Sequence, residues 1–190
     1  MNREESEKWD DRYRFSRHNL KKPRAFLEEN LHLLPNQGWA LDVAMGEGHN
    51  SNLLAQKGMH VLGVDFSSVA LLNAKNKYPQ LNAVKVDLPH ISLRPSSLEV
   101  ILNFWFLDRN LFPFFDRSLK PGGYLVFETM RYDPNKDQSN MQFDYLLQPG
   151  ELLKSFSGWE LIVYDENILA KVKGQEQLAV RMIARKPEQM

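Results

Sequence analysis

The sequence contains no cysteine among its 190 residues. Disulfides, zinc–thiolate sites, iron–sulfur clusters and cysteine nucleophiles are therefore excluded. The net charge is zero, because 24 basic residues balance 24 acidic ones. This balance argues against a broad positively charged surface that would bind nucleic acid. No stretch approaches the roughly 18 apolar residues of a membrane span, and the charged start Met1–Lys8 is unlike a signal peptide. We expect one cytoplasmic domain that binds neither nucleic acid nor membrane.

What the sequence does contain is a regular alternation of apolar runs and helical patterns. The runs lie at residues 39–45, 60–66, 81–88, 100–106 and 124–130. Helical spacing of apolar residues between the runs is typical of βαβ units, which build a parallel sheet with right-handed crossovers. We therefore expect an α/β protein with helices on both faces of the sheet.

The last third of the chain has a different pattern. Two further apolar runs, 159–165 and 177–185, are joined by a short polar link. About ten residues cannot hold a crossover helix, so this pair predicts an antiparallel hairpin. The complete sheet would have seven strands, mostly parallel with an antiparallel C-terminal strand. Further helices are expected at residues 108–119 and from Pro149 onward.

Residues 1–34 form an arm and a helix that differ in charge from the domain at 35–190. Five acids gather within residues 4–11, and six bases with no acid within residues 12–24. The basic stretch is either a solvated partner of those acids or a positive rim that attracts anionic acceptors. No second domain is visible, and we expect a monomer or a weak homodimer.

Glycines and acids stand where the predicted strands end. Gly46 and Gly48 follow the first strand, Asp65 ends the second, 19 positions after Gly46, and Asp87 ends the third. Ligands of open α/β sheets bind at the carboxyl ends of the strands, and an acid at this spacing reaches ribose hydroxyls. The pattern therefore predicts a nucleoside site.

The loop after the first strand suits a cationic nucleoside better than a dinucleotide. A dinucleotide fingerprint needs a third glycine, where this chain has Ser51, and its pyrophosphate would lie beside Glu47. Asp42, inside the strand, adds a further negative charge. S-Adenosylmethionine, which has a sulfonium and an ammonium group and no phosphate, fits these acids.

Four segments resemble the motifs of class I S-adenosylmethionine-dependent methyltransferases. They are Ala40–Gly48 for motif I, with Met45 where cysteine is common, Val64–Asp65 for motif II, Val86–Leu88 for the next motif, and Leu119–Leu125 for the turn before strand five. The segment Trp9–Tyr13, followed by the loop Gly46–Asn50, resembles the small tellurite-resistance and thiopurine-methyltransferase-like branch. The resemblance implies a Rossmann-like fold.

The resemblance also implies a cofactor site. Its residues would be Asp42, Ala44, Gly46 and Gly48 at the methionine end, Asp65 and Phe66 at the ribose and adenine, Asp87 and Leu88 at the adenine edge, and Asn103 and Phe104 beside the transferred methyl. Trp9, Arg12 and Tyr13 fall on one helical face. In the small branch this helix folds over the cofactor, so it would act as a lid whose Arg12 pairs with the methionine carboxylate.

The expected reaction is in-line transfer of the methyl group to a small molecule, which leaves S-adenosylhomocysteine. A general base is required only for an acceptor that arrives protonated. Candidate bases near the site are Tyr13, His18, His49, Glu128 and Tyr132. No His–acid pair has metal-ligand spacing, so we expect no metal. Two alternatives remain open, a non-catalytic cofactor-binding protein on the same fold and an NAD-dependent oxidoreductase.

Overall fold

A computed structural model describes residues 3–15, 21–136, 143–172 and 175–188. Seven strands form one sheet: β1 (Trp39–Val43), β2 (His60–Asp65), β3 (Asn82–Lys85), β4 (Leu98–Phe104), β5 (Leu119–Met130), β6 (Glu160–Val172) and β7 (Gln175–Arg185). The helices are α1 (Arg3–Arg14), α2 (Ala25–Asn30), α3 (His49–Lys57), α4 (Ser68–Lys77), α5 (Phe112–Ser118) and α6 (Glu151–Ser155). Single 3₁₀ turns lie at Leu31–Leu33, Leu88–His90, Arg109–Leu111 and Phe143–Tyr145.

The strand order is β3-β2-β1-β4-β5-β7-β6. Strands β1 to β5 pair in parallel, whereas β7 runs antiparallel to β5 and β6 pairs antiparallel with β7. This arrangement confirms the predicted α/β, Rossmann-like sheet with an antiparallel C-terminal strand. The strand order reverses at β1, and an open α/β sheet binds its ligands at that switch point.

Apolar residues on both sides of the central strands explain why the sheet is covered on two faces. Leu41 and Ile101 pack into a cluster that contains Phe115 of α5. Ala40 and its neighbours pack into a second cluster on the opposite face, with residues of α2 and α3. Neighbouring residues of one strand point to opposite faces, so a strand buried on both is apolar throughout.

Several predicted boundaries were wrong by a few residues, and each error has a local cause. The fourth strand ends at Phe104 rather than residue 106, because Trp105 adopts a left-handed φ of 57°. The third strand ends at Lys85, and the chain then turns into the 3₁₀ segment Leu88–His90. The helix expected from Pro149 begins at Glu151, since Gly150 takes a φ of 69°. Residues 109–111 of the helix expected at 108–119 form a 3₁₀ turn.

Met45 packs so closely on β2 that it explains a glycine there. A Cβ added to Gly63 would lie 2.1 Å from Met45 Sδ and 3.2 Å from Ser51 Oγ. Met45 itself is buried, so it has little room to move away. The Met45 side chain therefore fills the space that a larger residue at position 63 would take.

We predict that Gly63→Ala lowers the free energy of unfolding by about 1–3 kcal/mol, the usual cost of overpacking. Urea unfolding of Gly63→Ala, Met45→Cys and the double variant measures the coupling. Because the smaller cysteine vacates the contested space, the double variant should be more stable than the sum of the single effects. Strict additivity would contradict the packing argument.

Candidate functional site

The loop after β1 is built from backbone conformations that favour glycine. Gly46 and Gly48 have φ values of 54° and 76°, in the left-handed region where most side chains are strained. Ala44, just before them, shares this conformation with a φ of 53°. A Cβ on Gly46 would lie 2.7 Å from the Tyr13 hydroxyl oxygen. The loop thus lets other groups approach its backbone closely, as the sequence predicted.

Asp42 lies beneath this loop and is fully buried. The Ser51 hydroxyl donates a hydrogen bond to Asp42 Oδ2 at 2.6 Å. Burial raises the pKa of Asp42 to about 7, the hydrogen bonds from Ser51 oppose the shift, and the charge of Asp65 adds to it. The sequence pattern singled out Ser51 only because it stands where a dinucleotide fingerprint has its third glycine. Its position one α-helical turn into α3, above a strand acid, is the signal that could have revealed its role.

Asp65 connects the end of β2 to the glycine loop. Its Oδ2 accepts a hydrogen bond from the Gly46 amide at 2.8 Å, and its Oδ1 accepts one from the Ser67 amide at 2.9 Å. The carboxyl is buried, and this burial raises its pKa despite those hydrogen bonds. The structure therefore brings Asp42, Gly46 and Asp65 together.

The remaining strand-end candidates extend along the same edge of the sheet. Asp87 is partly exposed, with Oδ2 3.4 Å from His90 Nδ1, and Leu88 beside it is buried. On the opposite side of β1, Asn103 Nδ2 donates to the Phe106 carbonyl at 2.7 Å, and Phe104 is buried. The candidates thus follow the carboxyl edge from β3 to β4.

Helix α1 lies over the loops that follow β1 and β2. Asp10 Oδ1 accepts hydrogen bonds from the Ser67 hydroxyl at 2.6 Å and from the Val69 amide at 3.2 Å. Ser6 Oγ donates to the Phe66 carbonyl at 3.3 Å. Asp10 was not among the candidate residues, although it contacts Ser67, the N-cap of α4. The arm is therefore anchored to the start of α4.

The three aromatic and basic candidates on α1 have different surroundings. Tyr13 is buried, and desolvation together with the charges of Asp65 and Glu47 raises its pKa. Arg12 is exposed, and its guanidinium carbon lies 4.5 Å from the Trp9 ring centroid. The Trp9 and Tyr13 rings are 6.1 Å apart. Tyr13 therefore faces the glycine loop, whereas Arg12 stacks on its own helix.

The candidate bases are distributed over different parts of the molecule. Glu128 is buried, its Oε1 accepts from Trp105 Nε1 at 2.8 Å, and its Oε2 accepts from Arg181 Nε at 2.7 Å. His49 is buried in α3, with Nδ1 2.8 Å from the Tyr78 hydroxyl. Tyr132 follows β5 and is half-buried, while His18 lies outside the described residues. The described candidates therefore belong to different elements of the fold.

The described residues contain neither a metal-ligand cluster nor a membrane-spanning helix. No three His, Cys, Asp or Glu side chains of this part of the chain lie together as metal ligands would. None of the helices seen in the described ranges is long and apolar enough to cross a membrane. The candidate functional site is the carboxyl edge of the sheet around Asp42, Gly46 and Asp65.

Residues 41–127 match the family model for a methyltransferase domain. A probable S-adenosylmethionine-dependent methyltransferase from Mycobacterium tuberculosis is 26% identical over 68 residues, which are 36% of this chain and 25% of that protein. This chain spans less than half the length of the curated relatives it matches.

Solved structures show the same architecture. TehB from Haemophilus influenzae has a TM-score of 0.75 at 18% identity, over 93% of this chain and 67% of that chain. A SAM-dependent methyltransferase from Methanosarcina mazei has a TM-score of 0.66 at 19% identity, over 88% of this chain and 100% of that chain. At these identities the structures establish the shared fold.

The raised pKa of Asp42 predicts a pH dependence of stability. The folded-state pKa of about 7 exceeds the ordinary aspartate value of 3.8, so between these values the folded state binds more protons than the unfolded state. The free energy of unfolding should therefore fall as pH rises through this window, by at most about 1.4 kcal/mol per pH unit from this group. Asp42→Asn, measured by urea unfolding at pH 5, 6, 7 and 8, should flatten the slope.

The matched control is Asp165→Asn, an exposed carboxyl on the edge strand β6 that accepts from the Asn167 amide. Its slope should equal that of the unmodified protein. An unchanged slope in Asp42→Asn would show that this carboxyl is ionised throughout the range.

Proposed function

We propose that this chain, which belongs to the class I S-adenosylmethionine-dependent methyltransferases, transfers a methyl group from that cofactor to a small-molecule acceptor. The observation that carries the proposal is the joint placement of Asp42, Gly46 and Asp65, with Asp65 hydrogen-bonded to the Gly46 amide. Two acids beside a close-approach loop suit a ligand with cationic groups and ribose hydroxyls. The likeness of fold to TehB supports the tellurite-resistance-like branch.

The residues of the site fit this cofactor in charge and in hydrogen-bonding groups. Asp42 is buried, and no basic side chain of the described ranges lies within 4 Å of it. An ammonium group nearby would stabilise its ionised form and offset the cost of burial. Asp65 would take the ribose hydroxyls, with Phe66 and Leu88 beside the adenine and Asp87 at its amino group. Asn103 and Phe104 would border the methyl.

The cofactor supplies a methyl group on a positively charged sulfur, which is a good leaving group. The protein is then required mainly to hold the acceptor in line and to exclude water. Two candidate bases suit other tasks. The raised pKa of Tyr13 keeps its hydroxyl protonated, so it donates hydrogen bonds. Both carboxylate oxygens of Glu128 already accept hydrogen bonds, so we propose that it orients other side chains.

The arm formed by residues 1–34 would be a functional part of the site, and the domain at 35–190 would carry the cofactor. The contacts of α1 support a lid, because Tyr13 covers Gly46 and Asp10 anchors the helix beside Asp65. Trp9 and Tyr13 would lie above the bound cofactor. Arg12 would have to leave its stack on Trp9 to reach a carboxylate. We further propose that the protein works as a monomer or a weak homodimer.

The cofactor assignment predicts that S-adenosylhomocysteine binds and that Asp65→Ala weakens this binding at least tenfold, roughly the loss of one hydrogen bond to a charged group. Isothermal titration calorimetry measures both affinities, with Asp165→Ala on the edge strand β6 as the control. A parallel titration with NAD tests the alternative of an NAD-dependent oxidoreductase. Tight NAD binding without S-adenosylhomocysteine binding would identify an oxidoreductase.

Turnover separates an enzyme from a non-catalytic cofactor-binding protein. S-Adenosylhomocysteine formation should be measured over a panel of thiols, oxyanions, phenols, amines and carboxylates. At least one class should give release that depends on the acceptor. Cofactor binding with no turnover across the whole panel would favour the non-catalytic alternative.

The lid predicts that Asp10→Ala speeds dissociation of S-adenosylhomocysteine about fivefold, because it removes two contacts that anchor α1, each worth about 1 kcal/mol or less. Stopped-flow displacement measures the rate. The control is Asp11→Ala, since Asp11 is exposed and its carboxylate pairs with Arg14 in the same helix. Equal dissociation rates for the two variants would rule out the Asp10 anchor.

A further inference from the structure

Arg24 lies at the glycine loop, and none of the described carboxylates forms a salt bridge with its guanidinium. Its amide donates to Asn50 Oδ1 at 2.9 Å, which fixes it beside the first turn of α3. Its guanidinium carbon lies 5.1 Å from the centroid of the Trp105 ring. Arg24 is half-buried, yet within the described ranges no carboxylate or carbonyl oxygen accepts a hydrogen bond from this guanidinium. Burial lowers the pKa of Arg24, and the charge of Glu128 opposes that shift.

The ring beneath Arg24 is held firmly in place. Trp105 has a left-handed backbone with a φ of 57°, an arrangement that persists only when its surroundings enforce it. Its amide donates to the Glu128 carbonyl at 2.7 Å, and its Nε1 donates to Glu128 Oε1. Glu128 Oε2 in turn accepts from Arg181. The tryptophan is therefore a fixed platform for the guanidinium.

The charges of Glu128, Arg181 and Arg24 do not balance. Glu128 contributes one negative charge, and Arg181 forms the ion pair with it at 2.7 Å. Arg181 also lies over the Phe26 ring, at 5.4 Å from its centroid. Arg24 is thus a second cation near a carboxylate whose two oxygens are already used. One positive charge is left over, in a region partly removed from water, where charge-assisted hydrogen bonds are strong.

The position of this surplus charge separates it from the nucleoside end of the site. Asp65 and Asp87 follow β2 and β3, on one side of β1. Trp105 and Glu128 belong to the ends of β4 and β5, on the other side. If the proposed cofactor extends from β3 towards β1, an acceptor approaches its methyl group from the β4 side. Arg24 lies on that side.

We propose that Arg24, supported by Trp105 and positioned through Glu128 and Arg181, binds a negatively charged methyl acceptor, a carboxylate or another small oxyanion. This inference rests on the proposed function and names the substrate class for the same site. Glu128 and Arg181 are positioning residues, and Arg24 contacts the acceptor. An arginine fork suits such groups because its donors match two oxygens of one anion.

The test uses the full chain saturated with S-adenosylhomocysteine and follows the indole N–H signal of Trp105 by ¹⁵N nuclear magnetic resonance. Trp105→Phe assigns the signal. Benzoate and inorganic phosphate are the probes, and benzamide is the uncharged match for benzoate. At least one anion should shift the signal saturably. Arg24→Gln should weaken that binding about tenfold, the factor for one lost charge-assisted hydrogen bond, whereas Arg24→Lys should keep part of it.

Arg14→Gln is the control, since it removes the same charge from an exposed side chain that pairs with Asp11. It should leave anion binding unchanged, and thermal unfolding confirms that each variant is folded. Absence of a saturable shift with both anions overturns the proposal, as does equal binding of benzamide. So does equal loss of anion binding in Arg14→Gln.

The cofactor also carries a carboxylate, which Arg24 would bind if it did not bind the acceptor. A second comparison distinguishes these two ligands. Calorimetry compares S-adenosylhomocysteine with its decarboxylated analogue in the unmodified protein and in Arg24→Gln. If Arg24 binds the acceptor, Arg24→Gln should leave the affinities for S-adenosylhomocysteine and for its decarboxylated analogue unchanged. A weaker affinity for S-adenosylhomocysteine alone would assign Arg24 to the cofactor and overturn the proposal. If neither nucleoside binds the unmodified protein, the proposed function fails, whatever the anion titration shows.

Discussion

The Asp65 carboxylate joins two turns that the sheet alone would leave independent. One oxygen holds the amide of Gly46 in the loop after β1, and the other holds the amide of Ser67 at the start of α4. Ser67 then caps α4 by accepting from the Ala70 amide, and its hydroxyl donates to Asp10 of α1. The glycine loop, the second crossover helix and the N-terminal arm are therefore all connected through one buried acid.

This connection explains how a buried carboxyl can be both costly and useful. Burial disfavours its charged form, as the raised pKa shows, and two amide hydrogen bonds recover part of that cost. Asp42 meets the same problem with a single residue, Ser51, as its hydrogen-bond donor. The pKa of each acid stays raised, so the hydrogen bonds do not fully offset the cost of burying its charge. A cationic ligand with hydroxyl groups would reduce that cost, so stability and binding are coupled at these two positions.

The sequence was sufficient to predict the number of strands and their mainly parallel pairing, because its patterns are local and repeated. Apolar runs at βαβ spacing, and a link too short for a helix, gave the parallel sheet and the terminal hairpin. The positions of Asp42, Gly46 and Asp65 followed from the strand ends. The predicted ends of strands and helices were less accurate where a single residue with positive φ turns the chain, as at Trp105 and Gly150. A non-glycine residue with positive φ depends on its tertiary surroundings, and no local pattern announces it.

The same limit applies to the acceptor side of the site. Asp10 and Arg24 were visible only as parts of an acidic and a basic stretch, and charge counts alone allowed a solvated arm. Their roles depend on which side chains stand opposite: Ser67 for Asp10, and Trp105 for Arg24. These partners are 57 and 81 positions away in the sequence. Only the fold can show that Arg181 forms the ion pair with Glu128. It also shows that no carboxylate of the described residues forms one with Arg24. The zero net charge of the chain therefore conceals a local excess of positive charge. On our proposal, this excess, rather than the overall balance, selects the acceptor.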